Sequence, residues 1–148
     1  MELVAIDREP AESIRAACAS NEILAQTVQA TLDLYGRRGF VPPWIGFLGR
    51  EDGAFVGGCG FAAPAAHGEA EIAYFTFPGG EGRGIASRMA AALLRLARPH
   101  AGGIAFIAHT LPEESPSTSI LRKLGFTLEG TIAHPEDGPV WKWREAAR

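Results

Sequence analysis

Apolar residues recur along this chain at two different spacings, and the points where the spacing changes mark the predicted elements. ELVAI (2–6) reads as a short strand. From Pro10 to Gly36 the pattern is helical, with Pro10 suited to a first turn and Ser20 or Asn21 able to cap a second helix. In that second helix Leu24, Val28, Thr31 and Tyr35 fall on one face, and Gly36 and Gly39 are expected to end it. WIGFLG (44–49) and AFVGGCGF (54–61) flank Asp52-Gly53, a strong hairpin signal. AEIAYFTF (70–77) is nearly all apolar and reads as a strand buried on both faces.

From Gly84 the spacing is helical again, with Ile85, Met89, Leu93 and Leu96 on one side and Pro99 as the stop. GIAFIAHT (103–110) is a second buried strand. Ser115 or Ser117 can cap a short helix through Leu124, where Gly125 supplies a left-handed end. FTLEGTIA (126–133) and VWKWR (140–144) are strands around the turn HPEDGP. The predicted order is β-α-α-β-β-β-α-β-α-β-β. It implies one α/β (α+β) domain over residues 1–148, with a mixed central sheet and helices on both faces.

Composition narrows the function classes. The chain is 47% hydrophobic and 21% charged, as in ordinary globular proteins. A net charge of −3 gives no basic field for nucleic acid or an anionic membrane, so neither is an expected partner. No apolar run reaches transmembrane length, and MELVAIDREP turns polar too early for a signal peptide. Cys18 and Cys59 have neither CxxC nor metal-ligand spacing; they are expected to be reduced and buried, in a cytoplasmic protein without a metal.

The densest chemical signal is FPGGEGRGIAS (77–87), a glycine-rich junction between a strand and a helix. A helix N-terminus carries unpaired N–H groups and a partial positive charge, and glycines let an anion approach them closely. A tight structural turn is the alternative. Gly79 and Gly84 have P-loop spacing, but Ile85 and Ala86 stand where Lys and Ser/Thr are required. Gly80 and Gly82 start a dinucleotide fingerprint, but Ile85 replaces its third glycine.

EGRGIA (81–86) resembles the Q/R-x-x-G-x-G/A pyrophosphate loop of the GNAT acetyltransferase superfamily, with Glu81 departing at the first position. SPSTSILRKLGF (115–126) resembles that superfamily's later motif, with Ser117 at the motif serine and Glu114 replacing its asparagine. EIAY (71–74) is similar to the central strand of the Rim-type branch, the N-terminal acetyltransferases of ribosomal proteins. The match spans residues 44–144, about two thirds of the chain.

The resemblance implies direct acetyl transfer from acetyl-CoA to a primary amine, either a peptide N-terminus or a small molecule. It implies that backbone groups of Phe75, Thr76 and Phe77 meet the pantetheine arm. Gly82, Gly84, Ile85 and Ala86 would take the pyrophosphate, with Arg83 and Ser87 in the same loop. A homodimer is compatible with the family.

Glu71 is the candidate general base, since it is the only carboxylate between Ala70 and Phe77 and carboxylates are seldom buried without a reason. Pairing with an arginine is its alternative role. Glu69, at the start of the strand, is a second candidate base but is expected to be solvated. Many members protonate the leaving thiolate with a tyrosine where this chain has Leu121, so Ser117 is the candidate thiol partner, unless it is simply a helix cap. His109 is placed either in the acceptor pocket or as a satisfied strand-end histidine. His134, Glu136 and Asp137 sit on the last hairpin, where the resemblance implies that acceptors bind, or else form a solvated turn; Arg37 and Arg38 follow the second helix, either flanking the acceptor entrance or capping the helix C-terminus. The missing tyrosine and the two Glu replacements keep a second function open: a non-catalytic acyl-CoA-binding module.

Overall fold

The computed structural model describes residues 1–146. The chain order is β1 (Glu2–Ala5), α1 (Glu12–Ser20), α2 (Glu22–Arg38), β2 (Gly46–Glu51), β3 (Ala54–Phe61) and β4 (Glu69–Thr76). It continues through α3 (Ile85–Ala97), a 3₁₀ turn (Arg98–His100), β5 (Ala105–Thr110), α4 (Pro116–Lys123), β6 (Phe126–His134) and β7 (Gly138–Glu145). This is the predicted order.

Local chemistry sets the helix boundaries. Asn21, rather than Ser20, caps α2 by accepting the Leu24 N–H. Gly36 does not end α2. The helix runs on to Arg38, and Gly39 at φ +99° makes the stop, its N–H returning to the Tyr35 carbonyl. Pro10 lies outside α1, which starts at Glu12.

The strands form one sheet in the order β1-β2-β3-β4-β5-β7-β6. All neighbours are antiparallel except β4 and β5, which run parallel. The alternation of side chains sorts the core onto two faces. Leu48 and Phe77 pack with Ile6, Ile14, Leu24 and Val28 beneath α1 and α2. Ile72, Phe106 and Trp143 pack with Met89, Leu93 and Leu121 beneath α3 and α4.

Tyr35 ties α2 to the sheet. Its buried hydroxyl donates to the Ile6 carbonyl and accepts the Gly46 N–H, each at 2.8 Å. Burial pushes this phenol's pKa up, with the Gly46 bond opposing. Tyr35→Phe leaves two buried backbone groups unpaired and is expected to cost about 1–3 kcal/mol in a urea melt.

The prediction for β4 needs one correction. Ala70 and Ile72 are buried, but Ala73 is exposed and Phe75 is 46% exposed. Only one face of β4 enters the core. The other borders a cleft, and because Ala73 and Phe75 on that face are also apolar, the sequence shows no alternation.

Candidate active site

The cleft has a volume of about 630 Å³ and lies between α2, strands β3 and β4, and the β6–β7 turn. Its floor is kept low by glycine. A Cβ on Gly46 would stand 2.6 Å from Thr31 Cγ2, and one on Gly58 would stand 3.1 Å from Thr27 Cγ2. Missing side chains therefore let α2 lie close over the sheet.

Strands β4 and β5 diverge at this cleft. They pair only from Glu69 to Glu71, opposite Ala105 to Ile107. Beyond Glu71, β4 keeps its β3 partner from Ile72 through Thr76 but has no β5 register. The fork exposes one backbone edge of Ala73, Tyr74, Phe75 and Thr76, a strand edge with N–H and C=O groups to offer. Phe77 does not share this setting. Its side chain is buried under α1 and α2 and its N–H is bonded to the Val56 carbonyl, so it packs rather than faces the fork.

The glycine loop follows directly. Gly84, in the left-handed region at φ +74°, precedes α3, and no side chain caps that helix. Its first turn holds no acidic residue. Gly82, Arg83 and Gly84 are exposed, while Ala86 and Ser87 are half-buried and Ile85 is buried as an anchor. Glu81 is exposed, and its carboxylate is engaged within the loop, accepting the Gly79 N–H at 2.9 Å. Arg88 braces the loop by donating to the Arg83 carbonyl while its guanidinium grips Glu51 with two hydrogen bonds. The open turn fits a pyrophosphate.

Glu71 sits at the apex of the fork with its side chain 27% exposed, bordering the cleft. Its Oε2 is 3.0 Å from His109 Nδ1. That distance is short enough for a hydrogen bond but the angle is not favourable, and both ring nitrogens of His109 are buried without one. His109 is therefore not a satisfied strand-end residue. His134 packs edge-on to it with ring centroids 5.4 Å apart.

Glu71, His109 and His134 offer ligand atoms within 4.8 Å of one another, a grouping that invites comparison with a metal centre. His134 argues against one. Its Nδ1 accepts the N–H groups of Glu136 (3.2 Å) and Asp137 (3.3 Å), which puts the ring proton on Nε2 and leaves neither nitrogen with a free lone pair.

Glu69 is partly exposed, but it is engaged by two cations rather than simply solvated. Burial works against its charge, but hydrogen bonds from Arg144 and Lys142 outweigh it and hold its carboxyl below the usual range. The sequence shows no sign of this because the partners lie more than 70 positions away on β7. With Glu69 engaged, Glu71 is the carboxylate of β4 left to the cleft.

Ser117 lies in the first turn of α4 but does not cap it. Ser115 does, accepting the Thr118 N–H while Thr118 Oγ1 accepts the Ser115 N–H. Ser115→Ala is expected to cost about 1 kcal/mol and lower the melting temperature by roughly 2–4 °C. The Ser117 carbonyl accepts the Tyr74 hydroxyl at 3.1 Å, and burial pushes that phenol up to about 12. This places a hydroxyl from β4 at the start of α4, a meeting the sequence alone did not reveal. Leu121 is fully buried. Glu114 is bonded to Arg122 and Thr118. Trp143 is core, with Trp141 against it.

The outer wall carries both signs of charge. Arg37 and Arg38 face Glu136 and Asp137 across the cleft, with Arg38 Nη2 3.6 Å from Glu136 Oε1. Cys59 is buried, its thiol pushed up to about 12, whereas Cys18 on α1 is only half-buried.

Comparison with known proteins places this geometry. The chain is similar over 98% of its length to the RimL ribosomal L7/L12 alpha-N-protein acetyltransferase, covering 89% of that chain at 21% identity and a TM-score of 0.70. A second RimL structure, in complex with coenzyme A, matches at 22% identity and a TM-score of 0.69, covering 97% of this chain and 92% of that one. A spermidine N-acetyltransferase SpeG chimera from Vibrio cholerae and hSSAT matches at 16% identity and a TM-score of 0.69, covering 98% of this chain and 95% of that one. No curated protein sequence matches significantly. The family model of the acetyltransferase (GNAT) domain matches residues 5–127, and the chain belongs to the GNAT acetyltransferase family.

Proposed function

We propose that this enzyme transfers an acetyl group from acetyl-CoA to a primary amine, with Glu71 as general base. The observation that carries this reading is the fork between β4 and β5, with Glu71 at its apex and the uncapped start of α3 at its mouth. The amides of Gly82, Gly84, Ile85 and Ala86 would hold the pyrophosphate, with Arg83 and Ser87 beside them. The open β4 edge through Phe75 and Thr76 would pair with the pantetheine arm and set the thioester near the apex.

A protonated amine enters from the α2 side, past Glu136 and Asp137. Glu71 takes one proton from the ammonium. The freed nitrogen attacks the thioester carbonyl, a C–N bond forms, the C–S bond breaks and the CoA thiolate leaves. The nitrogen's second proton neutralises that thiolate. The Tyr74–Ser117 contact puts hydroxyl groups at the start of α4, the region where the family motif places the thiol partner.

Acceptor class follows from the cleft. Carboxylates at Glu71, Glu136 and Asp137 suit a cation, and Arg37 and Arg38 suit a carbonyl or carboxylate further along the acceptor. That pairing favours a peptide N-terminus over a polyamine. The test is thiol release from acetyl-CoA with a panel of N-terminal peptides and with spermidine. Turnover of peptides above spermidine supports this choice, and preference for spermidine reverses it. A second reading, acyl-CoA binding without transfer, is favoured by Leu121 being a buried core residue where many members carry the tyrosine. Acetyl-CoA binding with no turnover of any amine would select it.

A further inference from the structure

The acceptor chemistry leaves one proton on Glu71 that must be cleared. An ammonium loses two protons in becoming an amide N–H. One ends on the leaving thiolate and the other must leave the site, yet a single carboxylate holds one proton at a time.

The fold sets a second basic group behind Glu71. Glu71 lies opposite Ile107 across the parallel β4–β5 pair, and His109, two residues further along β5, projects from the same face. His109 in turn lies opposite Lys142 on β7. The charged groups around it are therefore Glu69 and Glu71 from β4, Lys142 and Arg144 from β7, and His134 from the end of β6. Glu69 is bonded to Lys142 and Arg144. Asp137 is 3.5 Å from His134 Nδ1, and Glu136 faces Arg38. Glu71 is the carboxylate in contact with His109, at 3.0 Å.

Both nitrogens of His109 are buried without a hydrogen bond, and the Glu71 carboxylate, 3.0 Å from Nδ1, is the group within its reach. His109 is also absent from the cleft lining, so it stands behind Glu71 rather than beside an acceptor.

We propose that His109 is a second proton station acting through Glu71. Glu71 takes the first proton from the ammonium and passes it from its carboxyl oxygen to His109 Nδ1. An imidazolium then faces a restored carboxylate, and Glu71 is ready for the second proton, which it delivers to the thiolate. Once the product has left, His109 returns its proton to Glu71, which borders the open cleft and gives it up to solvent. His109 is a positioning and relay residue and does not touch substrate. The proposal rests on Glu71 being the base of an acetyl transfer.

The first test needs no acceptor. The ring ¹⁵N resonances of His109 report its contact with Glu71. Glu71→Gln is expected to move the Nδ1 resonance, because it removes the carboxylate 3.0 Å away. An unchanged Nδ1 resonance overturns the proposal. The second test compares His109→Gln with wild type on the best peptide acceptor from pH 6.5 to 9.5. A peptide α-amine has a pKa near 8, so at high pH it arrives already neutral and only one proton remains to be handled. The variant is expected to lose about tenfold in kcat at pH 6.5 and to approach wild type at pH 9.5, with KM for acetyl-CoA and the melting temperature unchanged. A loss independent of pH, or none, overturns the relay. Where no peptide turns over, the ring-nitrogen result decides. Failure of the acetyltransferase reading shows separately, as failure to bind acetyl-CoA, and takes this proposal with it.

Discussion

Glu71→Gln is expected to lower kcat for acetyl transfer by about 10²–10⁴-fold, the range that a positioned general base contributes. Gln keeps the size and the hydrogen-bonding ability of the side chain but cannot accept a proton at working pH. Acetyl-CoA affinity should stay within about twofold of wild type, because the pyrophosphate loop and the β4 edge are untouched. The melting temperature should also hold, since Glu71 makes no hydrogen bond of favourable geometry and its side chain is 27% exposed. Steady-state kinetics with the best peptide acceptor, alongside a thermal melt, reads all three quantities. Wild-type turnover in the variant would remove Glu71 from the mechanism. Equal loss of turnover and of acetyl-CoA affinity would make it a structural residue.

The second large effect belongs to the glycine loop. Gly84 is held at φ +74°, where a side chain costs about 1–2 kcal/mol. A Cβ there would stand 3.0 Å from Arg88 Nη1, on a guanidinium fixed by Glu51 and by the Arg83 carbonyl. Gly84→Glu adds a negative charge beside the amides proposed to receive a pyrophosphate. Acetyl-CoA affinity should fall at least about 100-fold, or roughly 2.7 kcal/mol. Gly84→Ala, which brings strain without charge, should fall between the variant and wild type. Because the loop is exposed, both proteins should keep the wild-type circular dichroism spectrum.

These two sites differ in how far the sequence discloses them. The loop is legible because its proposed role is backbone chemistry. Glycine spacing records where a chain must turn tightly, and the change to helical periodicity at Ile85 shows that a helix begins there. The element order is legible for the same reason, since hairpin signals such as Asp52-Gly53 and caps such as Asn21 act over a few residues.

The cluster around Glu71 is only half legible. A lone carboxylate in an apolar strand stands out, but its neighbours His109 and His134 come from other strands, and sheet order cannot be read from local spacing. The engagement of Glu69 by Lys142 and Arg144 is hidden for that reason, as is the Tyr74–Ser117 contact across 43 positions. Phe77 shows the opposite failure. Its place next to the loop suggests a cofactor contact, yet it lies just past the end of β4, where α1 and α2 cover its side chain and Val56 takes its N–H. Ser115 and Ser117 both suit the α4 cap by type and position, and the Thr118 side chain, completing a reciprocal pair with Ser115, decides between them.

The central claim is that the fork between β4 and β5, with the open start of α3, is an acetyl-CoA site. Calorimetric titration of the wild-type protein with acetyl-CoA, with free CoA and ATP in parallel, tests it most directly, and Gly84→Glu is the matched control. The account predicts one equivalent of acetyl-CoA bound by wild type, weak or absent ATP binding, and loss of the acetyl-CoA signal in the variant. No binding of either CoA species, or equal binding by wild type and Gly84→Glu, would contradict it.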